Sequence, residues 1–319
     1  MARLSLARLR RAVVQQGFTP ATWIPEASEG RAAESTVRPA RLVEGETLTT
    51  YPVGRPEPCP HPLAFLDGIQ RYEIVGYLGS APLLVADIAA AVRERVGRRP
   101  RLAVMEHRRL AFGGPEVLER VAGVMGAGAE AGAGAVEVTP VPLADDVLGH
   151  PIREIQAARK AIDRARGALE LEVGQRFRAQ SDAWLIVDGA LSEGISWATD
   201  PRMIGVSKSH SSLPFAGADQ VTYLRTPHGH RTSVFEPVTR ALAPVYSWAL
   251  RLWPWEGRDL FHGLVRVETR ASDEVLDTVD TISRWLLAER APLSAPDPRW
   301  DRLLYGIHEV ESFLRARVA

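Results

Sequence analysis

SDAWLIVDGAL (181–191) is the stretch that decides the fold. Five apolar residues, Ala183 to Val187, follow a polar pair and run straight into Asp188-Gly189. A short unbroken apolar run with turn residues at its end reads as a strand buried on both faces, as in a parallel sheet. PLAFLDG (62–68) repeats the pattern and finishes on Asp67-Gly68. In a mainly parallel arrangement ligands collect at the carboxyl ends of strands. Two strands that each deliver an aspartate to that end are therefore the feature to build on.

Working outward, RYEIVGYLGS (71–80) and PLLVADIA (82–89) are expected to complete an antiparallel meander with PLAFLDG. IAAAVRERVG (88–97) reads as a helix ending at Gly97, and RLAVMEHRRLAF (101–112) as a strand pair or a strand running into a helix. GVMGAGAEAGAGAVEV (123–138) is a Gly/Ala connector. From Pro151 to about Gln180 the sevens-and-fours spacing of Ile155, Ile162, Leu169, Val173 and Phe177 predicts one long helix with one apolar face. RMIGVSKSH (202–210), YSWALRLW (246–253) and LFHGLVRVETR (260–270) are further strands, and 273–290 and 299–317 are helical. A meander, then a helix, then a strand parallel to the first is the ribonuclease H-like order: an α/β fold with a mixed central sheet flanked by helices. Residues 1–60 stand apart as an N-terminal extension, a basic helix followed by an irregular arm, with the main domain over 61–319. Leu4, Leu6, Leu9 and Val13 give that helix an apolar face, for docking on the protein's own core or on a partner.

If the two Asp-ending strands are neighbours, Asp67 and Asp188 lie side by side. Two carboxylates that close repel unless a cation separates them, and an all-oxygen donor set calls for Mg²⁺ or Mn²⁺. Gly68 and Gly189 would let a phosphate backbone approach. A third carboxylate is expected from the long helix. Matching about 13 helical residues at ~1.5 Å to a strand of ~20 Å lands near GALELEV (167–173). Glu172 and Glu170 flank the apolar stripe there on opposite sides; Glu172 is favoured and Glu170 kept beside it. Lys208, in MIGVSKSH, could hold a phosphate as a point charge. It is one of only two lysines against 37 arginines, the other being Lys160 on a solvated helix face. His308 could move a proton or join the ligands, and Glu106 is a minor candidate ligand. Trp248, Trp253 and Trp255, mixed with Arg251 and Arg258, could stack single-stranded bases or simply pack.

Composition limits the alternatives. The chain has 319 residues, 39 basic against 39 acidic, with 45% hydrophobic and 24% charged residues, the profile of an ordinary folded protein. No apolar run reaches the ~18 residues of a membrane span. Cys59 is the single cysteine, so no internal disulfide forms, and a reducing cytoplasm is expected. No Gly-rich phosphate loop with a following Lys-Ser/Thr is present.

Taken in order, these motifs resemble the NurA nuclease family. FLDGIQ looks like that family's first metal-binding Asp motif (Asp67) and WLIVDGALSEG its second (Asp188). MIGVSKSH looks like its Gly-Val-x-Lys motif (Lys208), and DRLLYGIHEVESF its closing segment with histidine (His308). The helix glutamate corresponds to Glu172 or Glu170. The resemblance departs at Ile69, where a small polar residue is usual, and does not reach the first 60 residues. It implies a manganese-dependent DNase with one or two ions, a homodimer, and a HerA-type hexameric ATPase as partner. Its expected work is 5′–3′ exonuclease action, with single-strand endonuclease activity beside it, in DNA end processing for double-strand break repair. The alternative from another class is a non-catalytic subunit that keeps the scaffold and docks on DNA or on the ATPase.

Overall fold

The computed structural model describes residues 6–20, 36–37, 40–96, 99–126, 138–208, 210, 212–238, 243–256, 258, 260–290 and 304–318. The Gly/Ala connector over 127–137 and the stretch 299–303 lie outside them. Helix α1 (Leu6–Gln15) leads to short strands β1 (Thr19–Pro20), β2 (Thr36–Val37), β3 (Ala40–Leu42) and β4 (Thr50–Pro52). Three long strands follow, β5 (Leu63–Leu78), β6 (Ala81–Val96) and β7 (Arg99–Gly113), then α2 (Pro115–Gly126) and β8 (Val138–Pro142). Next come α3 (Pro151–Arg178), β9 (Trp184–Asp188), α4 (Ile195–Ala198), β10 (Met203–Ser207), β11 (Ser212–Leu213) and α5 (Gly217–Leu224). The chain closes with β12 (His230–Thr232), β13 (Phe235–Pro237), β14 (Val245–Arg251), β15 (Leu264–Arg270), α6 (Asp273–Leu276), α7 (Val279–Glu289) and α8 (Tyr305–Val318).

One mixed sheet runs β3-β13-β14-β15-β10-β9-β5-β6-β7-β8. Its centre is the expected unit. The β5-β6-β7 meander is antiparallel, and β9 returns parallel to β5 after the long helix, with β10 parallel to β9. Side chains alternate along each strand. Ala64 and Leu66 of β5, with Leu185 and Val187 of β9, pack against α3 through Ile155, Ile162, Leu169, Val173 and Phe177. Each of those fully buried helix residues contributes about 1.5–3 kcal/mol of transfer free energy. Leu63 and Phe65, Ile186, Ile204 and Val206 point the other way, against α7 and α8 (Ile282, Leu286, Ile307, Val310, Leu314).

Three expectations about local structure change. The meander has no break at Asp67-Gly68: β5 is one 16-residue strand passing through them. The predicted helix over 88–97 is the second half of β6, also 16 residues long. Alanine's helical propensity loses here because β6 is covered on both faces, and the completely buried Ala89, Ala90 and Ala91 are what such close layers admit. The 101–112 segment is a single strand, β7. In the N-terminal arm, β3 and β4 pair with β13 and β12 and so extend the main sheet. Helix α1 buries Leu9 and Val13 against Val75, Leu83, Val85 and α2, on the chain's own core.

Candidate active site

Strand register creates the site. Leu66 of β5 is the partner of Val187 of β9, so the next positions, Asp67 and Asp188, stand on neighbouring strands about 4.8 Å apart. Both share the parity of Phe65 and Ile186, and so both face α8. Strand β9 stops at Asp188, and β10 stops at Ser207 beside it. Beyond that point the edge of β5 continues without them. The pocket is the notch where the parallel strands end and the long meander goes on, which is where α/β sheets bind ligands.

Asp67 is 6% exposed. Burial pushes its carboxyl well above the ordinary value; Asp188, Glu170 and Glu311 add to the shift, and Lys208 opposes it. Its Oδ1 accepts from the backbone N–H of Gly68 at 2.8 Å. Asp188 is bound by Lys208, whose Nζ donates to Oδ2 at 2.8 Å. The lysine that stood out in an arginine-rich chain therefore sits inside the pocket, while Lys160 is exposed on α3.

Of the two helix glutamates, the structure brings Glu170 to Gly68. It is buried on α3, contacts Arg166 one turn earlier, and lies over Gly68. A Cβ on Gly68 would meet Glu170 Cγ at 2.8 Å and Cδ at 2.9 Å. Gly68 thus makes room for a carboxylate, a correction to the expectation that it clears the way for phosphate. Glu172, the favoured candidate, is turned aside: it is paired with Arg108 at 2.6 Å and half exposed. Two residues along a helix rotate a side chain about 200°, so only one of the pair can look over Gly68. Glu106 is also elsewhere, paired with Arg176 at 2.8 Å.

Helix α8 closes the pocket from the other layer. His308 Nδ1 lies 3.9 Å from Glu311 Oε2, one turn on, and its Nε2 lies 3.5 Å from Ser312 Oγ. Glu311 is 8% exposed, is gripped by Arg315 at 2.8 Å, and acts on Asp67. The sequence reading missed it. The available signal was its i, i+3 spacing from His308, which puts both on one helix face. Also missed was Glu268 of β15, completely buried, whose Oε2 accepts from Leu191 N at 2.9 Å and so holds the turn that follows Asp188-Gly189.

The stacking set is divided. Trp248 is core, fully buried with Nε1 donating to Ser283 Oγ at 3.0 Å. Arg251 is no surface contact for nucleic acid: it has no exposed area, and its guanidinium donates to backbone carbonyls of Leu224, Thr226, Leu260 and His262. Trp253 and Trp255 are half-buried in the β14–β15 connection, beneath Arg290 and Arg225. Two further histidines are engaged locally: His210 with Leu264 O and Tyr223, His228 with Arg290.

Among the described residues no three His, Cys, Asp or Glu side chains converge as a ready metal cage. The donor chemistry nevertheless fits a hard divalent cation. Asp67 and Asp188 from the α8 face and Glu170 from the α3 face offer only carboxylate oxygens around the end of β9; burial first, and then the charges of Asp188 and Glu170, raise the Asp67 carboxyl. No helix among the described residues is long and apolar enough to cross a membrane.

No protein-family model and no curated protein matches the chain. Among solved structures it is similar to the crystal structure of the NurA nuclease from Sulfolobus solfataricus, with a TM-score of 0.49 and 11% sequence identity over 86% of this chain and 85% of that one. At that score and identity the functional reading rests on the side chains of the pocket.

Proposed function

We propose that the chain is a divalent-metal-dependent nuclease of ribonuclease H-like fold that hydrolyses DNA phosphodiesters. The observation that carries this reading is Asp67 beside Asp188, in register and on one face, with Glu170 over Gly68 and an ammonium on Asp188. The strand order β10-β9-β5-β6-β7 around helix α3 supports the fold assignment. Asp67, Asp188 and Glu170 would hold Mn²⁺ or Mg²⁺, one ion or two. A bound ion would supply an acidified water and charge neutralisation at the phosphorus.

The chain's own side chains do the rest. Lys208 is set to receive a phosphate oxygen, exchanging part of its contact with Asp188 for the substrate's charge. His308, one turn from Glu311 on α8, would pass a proton to the leaving oxygen. Glu268 keeps the Asp188-Gly189 turn in position through Leu191 N. The exonuclease polarity, the role in double-strand break repair, the homodimer, the cytoplasmic setting and the HerA-type ATPase partner enter this proposal through the motif resemblance.

The test is cleavage of an end-labelled linear duplex across a manganese titration. The wild type is expected to shorten it, while Asp67→Ala and Asp188→Ala, with unchanged circular dichroism, are expected to leave it intact. Intact duplex with the wild-type protein at every manganese concentration would overturn the proposal in favour of a non-catalytic binding subunit.

A further inference from the structure

Most tryptophans among the described residues are accounted for by packing. Trp197, Trp248 and Trp285 are buried, and Trp184 meets Trp285 edge-on at 5.2 Å. Trp253 and Trp255 differ. Both sit in the turn WPWEGRDL (253–260), both are half-buried, and each carries a guanidinium over its ring: Arg290 at 4.7 Å from the Trp253 centroid and Arg225 at 5.6 Å from Trp255. A flat aromatic face with an arginine against it is a stacking surface that also carries positive charge.

The surroundings hold these pairs in place. Arg290 also donates to Leu252 O at 2.8 Å and contacts His228 Nε2 at 2.7 Å, which pins it to the start of the turn. Buried Arg251 donates to Leu224 O at 2.6 Å and Thr226 O at 3.0 Å, the carbonyls flanking Arg225, and to Leu260 O at 3.1 Å across the turn. One side chain therefore fixes the segment bearing Arg225 against the turn bearing Trp255. Gly263, at φ +66°, packs so closely on the turn that a Cβ there would lie 2.7 Å from the Trp253 backbone nitrogen.

Topology gives the turn its meaning. Strand β14 is antiparallel to β15, which is antiparallel to β10, so β14 runs the same way as β9 and β10. The tryptophan turn thus leaves the sheet at the edge where Asp188 and Lys208 lie. Three strand spacings separate β9 from β14, about 14 Å.

We infer that Trp253-Arg290 and Trp255-Arg225 form a nucleobase-stacking platform that takes a single-stranded nucleic acid on its way to or from the acidic pocket. The platform takes its ligand class from the nuclease reading, and its stacking is a separate property. It is sequence-tolerant, because every base has a face to stack.

The experiment is fluorescence anisotropy of a labelled oligothymidylate of about 20 nucleotides in EDTA at about 0.15 M salt, with tryptophan quenching as a second readout. Wild type is expected to bind and to be quenched. Trp255→Ala is expected to bind about 5- to 150-fold more weakly, the range of one lost base stack, with Trp255→Phe recovering part of the loss. An abasic oligomer of the same length, which can stack on neither tryptophan, is expected to bind wild type at least as weakly as oligothymidylate binds Trp255→Ala. Equal binding of the abasic and thymidylate oligomers by wild type would overturn the inference, as would undiminished binding by a correctly folded Trp255→Ala. Absence of manganese-dependent cleavage with stacking intact would overturn only the nuclease reading.

Discussion

Replacing Gly68 by alanine tests the pocket through an atom the protein lacks. Gly68 is not one of the positive-φ glycines, so its backbone accepts alanine. The added methyl would sit 2.8 Å from Glu170 Cγ and 2.9 Å from Cδ. Carbon atoms prefer about 3.5–4.0 Å, so Cγ must retreat by about 0.7 Å, and the carboxylate beyond it by on the order of 1 Å. The fold tolerates this cheaply, because the far end of a flexible side chain can swing away. Losing a glycine's unfolded-state freedom even favours the mutant by about 0.4–1 kcal/mol. Catalysis does not tolerate it: misplacement of about 1 Å costs about 100-fold. Gly68→Ala is thus expected to melt at or slightly above the wild-type temperature and to lose about 100-fold in kcat/KM for manganese-dependent DNA cleavage. A double-mutant cycle completes the assay, since in a Glu170→Ala background the alanine at 68 should cost almost nothing more. Full activity in Gly68→Ala, or an equal loss in both backgrounds, would refute the reasoning.

Asp67→Asn is expected to abolish cleavage yet raise the melting temperature of the metal-free protein. A folded-state carboxyl raised above its unfolded value penalises folding once pH exceeds about 3.9, so the amide should remove a destabilisation that grows with pH above that point. Asp87 behaves oppositely. Burial pushes it up, but hydrogen bonds from His107 and Arg109 outweigh burial and hold it below the ordinary value. Its contribution is present above about pH 4 and fades as pH falls through the lower folded value, so Asp87→Asn should flatten the acid limb of a stability–pH profile measured by urea unfolding. At neutral pH the same variant should lose about 3–5 kcal/mol, because buried Arg109 is left without its carboxylate. Arg251→Met should cost about 3 kcal/mol or more by the same urea assay, since four backbone carbonyls lose their donor, and should raise hydrogen exchange over 252–262.

The two Asp-ending runs gave the neighbouring strands, because buried parallel strands advertise themselves as apolar blocks and the register then follows from where each block stops. The α3 face was equally legible from its spacing. What escaped was decided between elements. Ala89 to Ala91 read as helix, and only the layers above and below β6 make them strand. Glu170 and Glu172 are equivalent along the helix, and Gly68 on another strand chooses between them. Arg251 looked like a surface cation because its partners are backbone carbonyls, which have no sequence signature. Glu311 becomes relevant only when α8 is laid against β5.

The central claim is that the notch beside Asp67 and Asp188 holds a divalent cation. Anomalous diffraction from crystals soaked in manganese chloride measures this directly. The account predicts a strong peak in contact with both carboxylates and Glu170, with Lys208 drawn off Asp188. Crystals saturated with manganese that show no peak there, and keep Lys208 on Asp188 at its present 2.8 Å, would contradict it.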